Sequence, residues 1–234
     1  MTALFDVTRV PTVTSVPSVP SVNGLNGERP YLRGWLHAVA APLAVLTGAV
    51  LVSAAGTVLL RLALAGFAVA ACALFATSAA FHRGRWSPSM HGLLMRADYA
   101  NIHLWIAASA TALAVALAGD PAPQLRLVWA VALLGVGTTL VRPIASRWLR
   151  TGGYLLSGHL AMASMAAVVP GVDTPVTALI VAGCLAYGLG GVVYAARRPD
   201  PWPRWFGFHE VFHALTVLGF AAHGAAIWVA IRPV

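Results

Sequence analysis

The sequence predicts an all-α integral membrane protein, a bundle of seven transmembrane helices with its N-terminus in the cytoplasm and its C-terminus outside. Hydrophobic residues make up 59% of the 234 positions and charged residues only 9%, whereas about a quarter of an ordinary soluble domain is charged. Long apolar stretches alternate with short loops that carry arginine. Both observations indicate a chain that folds in the bilayer.

Residues 1–30 form a segment rich in Val, Pro, Ser and Thr that contains no sustained apolar run. This composition predicts a disordered N-terminal tail. The segment also lacks the basic start and the continuous hydrophobic stretch of a secretory signal, so the first span is expected to act as the insertion signal. Residues 31–234 are predicted to form one seven-span membrane domain.

Seven stretches are long enough to cross the hydrocarbon core, which takes about 20 residues of helix. They are 35–55, 62–82, 98–118, 125–143, 152–170, 175–196 and 207–231. The fourth and the fifth are the least clearly defined. Six spans with one re-entrant segment are the alternative.

Arginines set the predicted orientation, because the net charge of +8 comes from arginine alone and the chain contains no lysine. Arginines are concentrated before span one and after spans two, four and six, whereas the other loops between spans hold at most one each. Positively charged loops stay in the cytoplasm. We therefore expect a multi-pass protein of the plasma membrane, and the topological role of the charge argues against a nucleic-acid partner.

Polar side chains within the spans gather at the predicted cytoplasmic face. The starts of spans one, three and seven and the end of span two all lie at that face. The residues that this places in one layer are His37, Ser78, His82, Asp98, His209 and His213. Because polar groups are costly in a bilayer, such a layer indicates a functional site.

A zinc site is the chemistry that this layer favours. His209 and His213 are four residues apart, so they share one helical face and can both reach one Zn²⁺ at about 2.0–2.1 Å. His82 is the best third ligand from another helix, which leaves the fourth position for water. Asp98 could accept a proton from that water or hold it by a hydrogen bond.

The remaining histidines of the spans receive other roles. We expect His37 to lie in a second layer around the metal ligands. His103, His159 and His223 are expected to act as interhelical hydrogen-bond partners.

The histidine pair of span seven also supports a different interpretation. The segment from His209 to His213 reads His-Glu-Val-Phe-His, the H-E-x-x-H pattern in which zinc metalloproteases use the glutamate as general base. An intramembrane metalloprotease is therefore an alternative. Against it, no third-ligand motif of the Asp-Gly type and no metzincin continuation are present. A helix also turns about 100° per residue, so Glu210 points away from the histidine face.

Three blocks carry these residues: Ser78-Ala-Ala-Phe-His82, Arg96-Ala-Asp98-Tyr-Ala-Asn-Ile and Gly207-Phe-His209-Glu-Val-Phe-His213. In order, spacing and topology they resemble the hemolysin III family, which belongs with the progestin and adipoQ receptors. The resemblance covers about residues 33–231. The segment after Asp98 departs from the family's pattern, which affects the expected shape of the substrate pocket rather than the metal site.

The resemblance implies roles for five residues. In the adiponectin receptors of this superfamily, one histidine of span two and two of span seven bind zinc. By resemblance, the metal ligands are His82, His209 and His213. Asp98 is then the general base on the bound water, and Ser78 lies beside it and steadies the oxyanion. The receptor branch has Gln at the position of Glu210, which argues against catalysis by that residue.

The resemblance also implies an activity: zinc-dependent hydrolysis of a lipid amide or ester, similar to that of the ceramidases, in membrane lipid homeostasis. The substrate would be a membrane lipid that enters laterally between helices. A zinc-stabilised membrane sensor without turnover is the alternative. A pore is not favoured, because nothing in the spans resembles a pore lining.

Overall fold

The computed structural model describes residues 29–118, 122–141, 146–165 and 171–232, which contain seven α-helices. These are α1 (Trp35–Ala54), α2 (Val58–Arg83), α3 (Pro88–Ala118), α4 (Ala122–Val141), α5 (Arg147–Met165), α6 (Thr174–Ala196) and α7 (Phe208–Ile231). The only extended pairing in these ranges is an isolated bridge between Trp202 and Phe206. The all-α class is therefore confirmed. The predicted tail, residues 1–30, lies outside the described residues except for its last two positions.

Five of the helices are long and apolar enough to cross a membrane, namely α1, α2, α3, α6 and α7. Within α4 only the shorter stretch Leu125–Val141 is apolar, and α5 does not meet the same criterion. These two helices correspond to the spans that the sequence defined least clearly. The helix α5 is less apolar because it contains Arg147, Arg150 and His159.

The third helix begins ten residues before the span predicted at 98–118. Pro88 is its first residue, and the hydroxyl of Ser87 accepts a hydrogen bond from the Met90 backbone N–H at 3.4 Å. A serine followed by proline at the first helical position is a common helix start. The 31 residues of α3 extend for roughly 46 Å at 1.5 Å per residue. The helix is therefore longer than the hydrocarbon core of about 30 Å, so it projects beyond it.

The loop between α6 and α7 is tied to the chain that enters α1. The backbone N–H of Tyr31 donates to the Arg204 carbonyl at 3.0 Å, and that of Leu32 donates to the Trp205 carbonyl at 3.2 Å. The rings of Tyr31 and Trp205 also pack together, with centroids 4.7 Å apart. The first turns of α1 and α7 are thereby held at the same end of the bundle.

The helices pack around α3, which contacts α2, α4, α5 and α7. Chain neighbours α1 and α2, and likewise α6 and α7, also pack against each other, and α1 contacts α7. An aromatic core joins α2, α3 and α7 through Phe67, Phe75, Trp105 and Phe220. Both α2 and α7 pack against α3, and the end of α2 lies next to the start of α7, where His82 Nε2 is 3.1 Å from His209 Nε2.

The outer surface of the bundle is strongly apolar. Large side chains that are more than half exposed include Leu46, Leu62, Val69, Leu134 and Leu189. Soluble monomers rarely expose large contiguous apolar patches. The protein is therefore an integral membrane protein with several apolar helices, as the composition predicted.

We expect replacement of Gly34, at the start of α1, to destabilise the protein. It has a φ of 77°, a left-handed conformation that costs other residues about 1–2 kcal/mol. A Cβ at this position would also lie 2.9 Å from the Cβ of His82. Gly34→Ala should lower the free energy of unfolding by about 2 kcal/mol, measured by thermal unfolding in detergent. Gly66→Ala is the control, because its Cβ would meet no atom within 4 Å; equal losses in both variants would contradict this role.

Candidate metal centre

Three histidines from two helices converge at one end of the bundle. His82 lies in the last turn of α2, and His209 and His213 lie in the first two turns of α7. One ring nitrogen from each lies within 4.8 Å of those of the other two. The Nε2 atoms of His82 and His209 are 3.1 Å apart. These are the three residues that the sequence predicted as metal ligands.

The donor set of this cluster fits a divalent metal ion such as Zn²⁺. Nitrogen ligands that are 2.0–2.1 Å from a tetrahedral zinc ion lie about 3.4 Å from one another. The 3.1 Å between the Nε2 atoms of His82 and His209 is close to this separation, and a ring nitrogen of His213 lies within 4.8 Å of both histidines. His213 is only 2% exposed, so an ion would also provide its buried ring with a polar partner.

Asp98 of α3 lies beside the three histidines. Its Oδ2 is 4.0 Å from His82 Nε2, and the residue is buried. Ser78, one turn before His82 on α2, is also buried and lies close enough to Asp98 for its hydroxyl to interact with the carboxylate. The structure therefore brings together all five of the predicted site residues, from three different helices.

His37 of α1 stacks on His213, with ring centroids 3.8 Å apart and planes within 8°. A metal ion in the plane of one stacked ring lies outside the plane of the other, so both rings cannot bind the same ion in this arrangement. His37 instead fixes the plane of the His213 ring. This position agrees with the second layer predicted for His37.

Glu210, the glutamate of the H-E-x-x-H pattern, faces away from the cluster. One of its carboxylate oxygens pairs with Arg33 Nε, and the other accepts a hydrogen bond from the Gly207 backbone N–H at 2.9 Å. The side chain is completely buried. Glu210 thus caps the first turn of α7 and ties it to the chain before α1, so it holds His209 in position and is not placed as a general base.

The other histidines of the helices differ in their contacts. His223 Nε2 lies 3.8 Å from Cys184 Sγ of α6, which fits the predicted interhelical role. His103 contacts a tyrosine ring of α5, but its Nδ1 has no hydrogen-bond partner among the described residues, so it makes an interhelical packing contact and not the predicted hydrogen bond. The prediction for His159 is wrong, because its Nδ1 lies 2.8 Å from the Leu155 carbonyl of its own helix, where a side chain readily reaches the carbonyl four residues earlier.

A cavity of about 510 Å³ extends from the histidine cluster into the interior of the bundle. Asp98, His209 and His213 line one end, whereas Leu113 and His223 line the deeper part, and the walls between them are mostly apolar. Asp98 and Leu113 are fifteen residues apart on α3, so the cavity runs for about 22 Å along that helix. It is long and narrow enough to suit a chain-like apolar ligand.

The structure places an arginine, Arg150, at the histidine end of this cavity, and the sequence did not predict this position. Arg150 of α5 donates to the Tyr194 hydroxyl at 2.7 Å, and its guanidinium lies over the Tyr99 ring, 4.2 Å from the centroid. All three side chains line the cavity. In the sequence, Arg150 indicates only topology, and the position of Tyr99 next to Asp98 is the one sign of this arrangement.

The chain matches a known protein family. Residues 26–224 match the family model described as haemolysin-III related. The match spans most of the chain and contains the histidine cluster, Asp98 and Ser78. It also covers the three blocks on which the resemblance was based.

The ion pair of Arg33 and Glu210 should be energetically coupled. Breaking a buried pair by removing one partner costs about 3–5 kcal/mol, and less where a partner is partly exposed, as Arg33 is. In a double-mutant cycle of Arg33→Met and Glu210→Gln, we expect a coupling energy of about 1–3 kcal/mol, measured by unfolding in detergent. Pairing Glu210→Gln with Arg85→Met, an exposed arginine, is the control and should be additive. Additivity in the first cycle would refute the structural role.

Proposed function

Because the chain belongs to the haemolysin-III related family, we propose that it is a zinc-dependent hydrolase of a lipid amide or ester bond, of the ceramidase type. One observation carries this proposal: three imidazole nitrogens within 4.8 Å of one another lie beside the Asp98 carboxylate, at the end of a long apolar cavity. A ligand set for a metal, a proton acceptor and a binding site for an acyl chain are the parts that such hydrolysis requires.

In this proposal His82, His209 and His213 hold the zinc ion. A bound Zn²⁺ supplies Lewis acidity, which polarises a carbonyl group and makes a coordinated water more acidic. Three imidazoles are a donor set that suits zinc. Glu210 and His37 keep the rings oriented, the first through the cap of α7 and the second by stacking on His213.

Asp98 is the proton acceptor of the proposed reaction. Its Oδ2 faces the cluster, so it can take a proton from the attacking water and return it to the leaving amine or alcohol. Ser78 lies within reach of Asp98 and can donate its hydroxyl proton to the carboxylate. Because a hydroxyl has a single proton to donate, Ser78 can steady an oxyanion only after it releases Asp98.

The cavity supports a lipid with a long chain as the substrate. An acyl chain spans one leaflet, which is half of the hydrocarbon core of about 30 Å, and the cavity is longer than that. Val181, Leu185 and Leu189 line the cavity and are about half exposed on the outer surface of α6. A lipid can therefore enter sideways past α6, and the protein needs no soluble binding domain.

The proposal includes an orientation in the plasma membrane. All seven helices span, the N-terminus and the histidine cluster lie on the cytoplasmic side, and the C-terminus lies outside. The arginines at the cluster's end of the bundle, among them Arg83, Arg96 and Arg197, support this orientation. Labelling of single cysteines from the two sides of the membrane tests it, and cytoplasmic labelling of the C-terminus would contradict it.

Asp98→Asn should abolish turnover and spare the metal. Wild-type protein with zinc is incubated with a panel of lipid amides and esters, and released fatty acid and bound zinc are measured. General-base catalysis contributes about 10²–10⁴-fold, so we expect a rate loss of at least about 100-fold at unchanged zinc content. Asp173→Asn, before α6 and remote from the cluster, is the control and should keep its activity.

Two results would count against hydrolysis. Full activity in Asp98→Asn would remove Asp98 from the mechanism. Absence of fatty acid release by the wild type from the whole panel, with zinc bound, would favour the zinc-stabilised sensor instead.

A further inference from the structure

His223 places a buried polar atom deep in the apolar interior. It lies ten residues after His213 on α7, about 15 Å along the helix, and is only 5% exposed. Its Nε2 faces Cys184 Sγ at 3.8 Å, whereas its Nδ1 has no hydrogen-bond partner among the residues that the structure describes. The residue lines the cavity, and because its Nδ1 is fully buried, a ligand in the cavity can supply the missing partner once the surrounding side chains shift slightly.

A second hydrogen-bonding group lies next to His223. The ring of Tyr187, on α6, meets the His223 ring nearly at right angles, with centroids 5.4 Å apart, and also lines the cavity. In the described part of the chain its hydroxyl has no acceptor for its proton. The neighbouring indole of Trp105 can only donate, so it does not meet that need.

Both rings occupy positions that glycines on the opposite helix make available. A Cβ at Gly183 of α6 would collide with the His223 ring, and a Cβ at Gly219 of α7 would collide with the Tyr187 ring. Each helix therefore leaves space for the polar ring of the other. This mutual fit fixes both rings at the deep part of the cavity.

We infer that His223 and Tyr187 bind a hydroxyl group that the lipid substrate carries part-way along its acyl chain. A hydroxyl both donates and accepts, so it satisfies the imidazole nitrogen in either tautomer and the phenol as well. The surrounding side chains of the cavity wall are mostly apolar. Hydroxylated chains are thus the preferred class of ligand.

The distance from the histidine cluster to His223 determines at which carbon of the acyl chain the hydroxyl lies. With the carbonyl at the histidine cluster, the 15 Å or so from His213 to His223 corresponds to about twelve carbons of an extended chain, at ~1.2 Å per bond. For this placement of the carbonyl the inference rests on the proposed function. Binding of the chain in the cavity requires no turnover.

Fatty acid binding to the purified full-length protein tests the inference. Octadecanoic acid and its derivatives with a hydroxyl at carbon 2, 10, 12 or 14 compete with a fluorescent fatty acid. We expect the chain with its hydroxyl near carbon 12 to bind about tenfold tighter than the unsubstituted chain, in line with one or two added hydrogen bonds. The 2-hydroxy acid should show no such gain.

Variants connect the preference with the two residues. Tyr187→Phe and His223→Leu should remove the preference and keep the affinity for octadecanoic acid within about twofold. Tyr187→Phe keeps the ring, so it serves even if His223→Leu fails to fold. Thr216→Val is the matched control, because Thr216 lines the same cavity but already donates to the Phe212 carbonyl at 3.0 Å.

Equal binding of all the acids by the wild type would overturn the inference and indicate that the site holds only water. A preference that survives both substitutions would overturn it as well. Absence of lipid hydrolysis refutes the proposed function and leaves the measured binding preference unaffected, so the two failures are distinguishable.

Discussion

Polar groups in the interior of a membrane bundle have to find their partners within the protein, since the hydrocarbon provides none. The contact that most of this site depends on is that of Glu210 with Arg33 and with the Gly207 N–H. It closes the first turn of α7 against the chain before α1. That closure places His209 and His213 next to the end of α2, where His82 and Ser78 lie, and stacks His37 on the cluster.

The cavity distinguishes this polar layer from a cluster that only packs helices together. A cluster of three imidazoles and a carboxylate could serve only to pack helices together. Here the cluster lies at one end of the long apolar cavity. A ligand that fills the space has a polar head at the histidines and a chain in the interior. In the proposed function the histidines are the reactive end of this cavity, and the inferred hydroxyl contacts of His223 and Tyr187 select the chain that it binds.

Local patterns in the sequence predicted what depends on local structure. Apolar runs predicted the helices, and the spacing of His209 and His213 together with the alternation of arginines predicted one shared layer. Patterns of this kind could not reveal the pairing of Arg33 with Glu210, which are 177 residues apart, or the position of Arg150 in the cavity. Both depend on how helices pack. The early start of α3 was not predicted because the spans were placed by their apolar residues alone. Ser87 and Pro88 do indicate a helix start at that position.

Metal content tests the central claim most directly. Protein purified in detergent without chelator should contain about one zinc per chain, and the double variant His209→Ala/His213→Ala should have lost it. His159→Ala is the control and should keep the metal, because the His159 ring contacts the Leu155 carbonyl of its own helix. A wild-type protein without bound zinc, or zinc retained in the double variant, would contradict the account, and the histidines would then be a polar packing cluster.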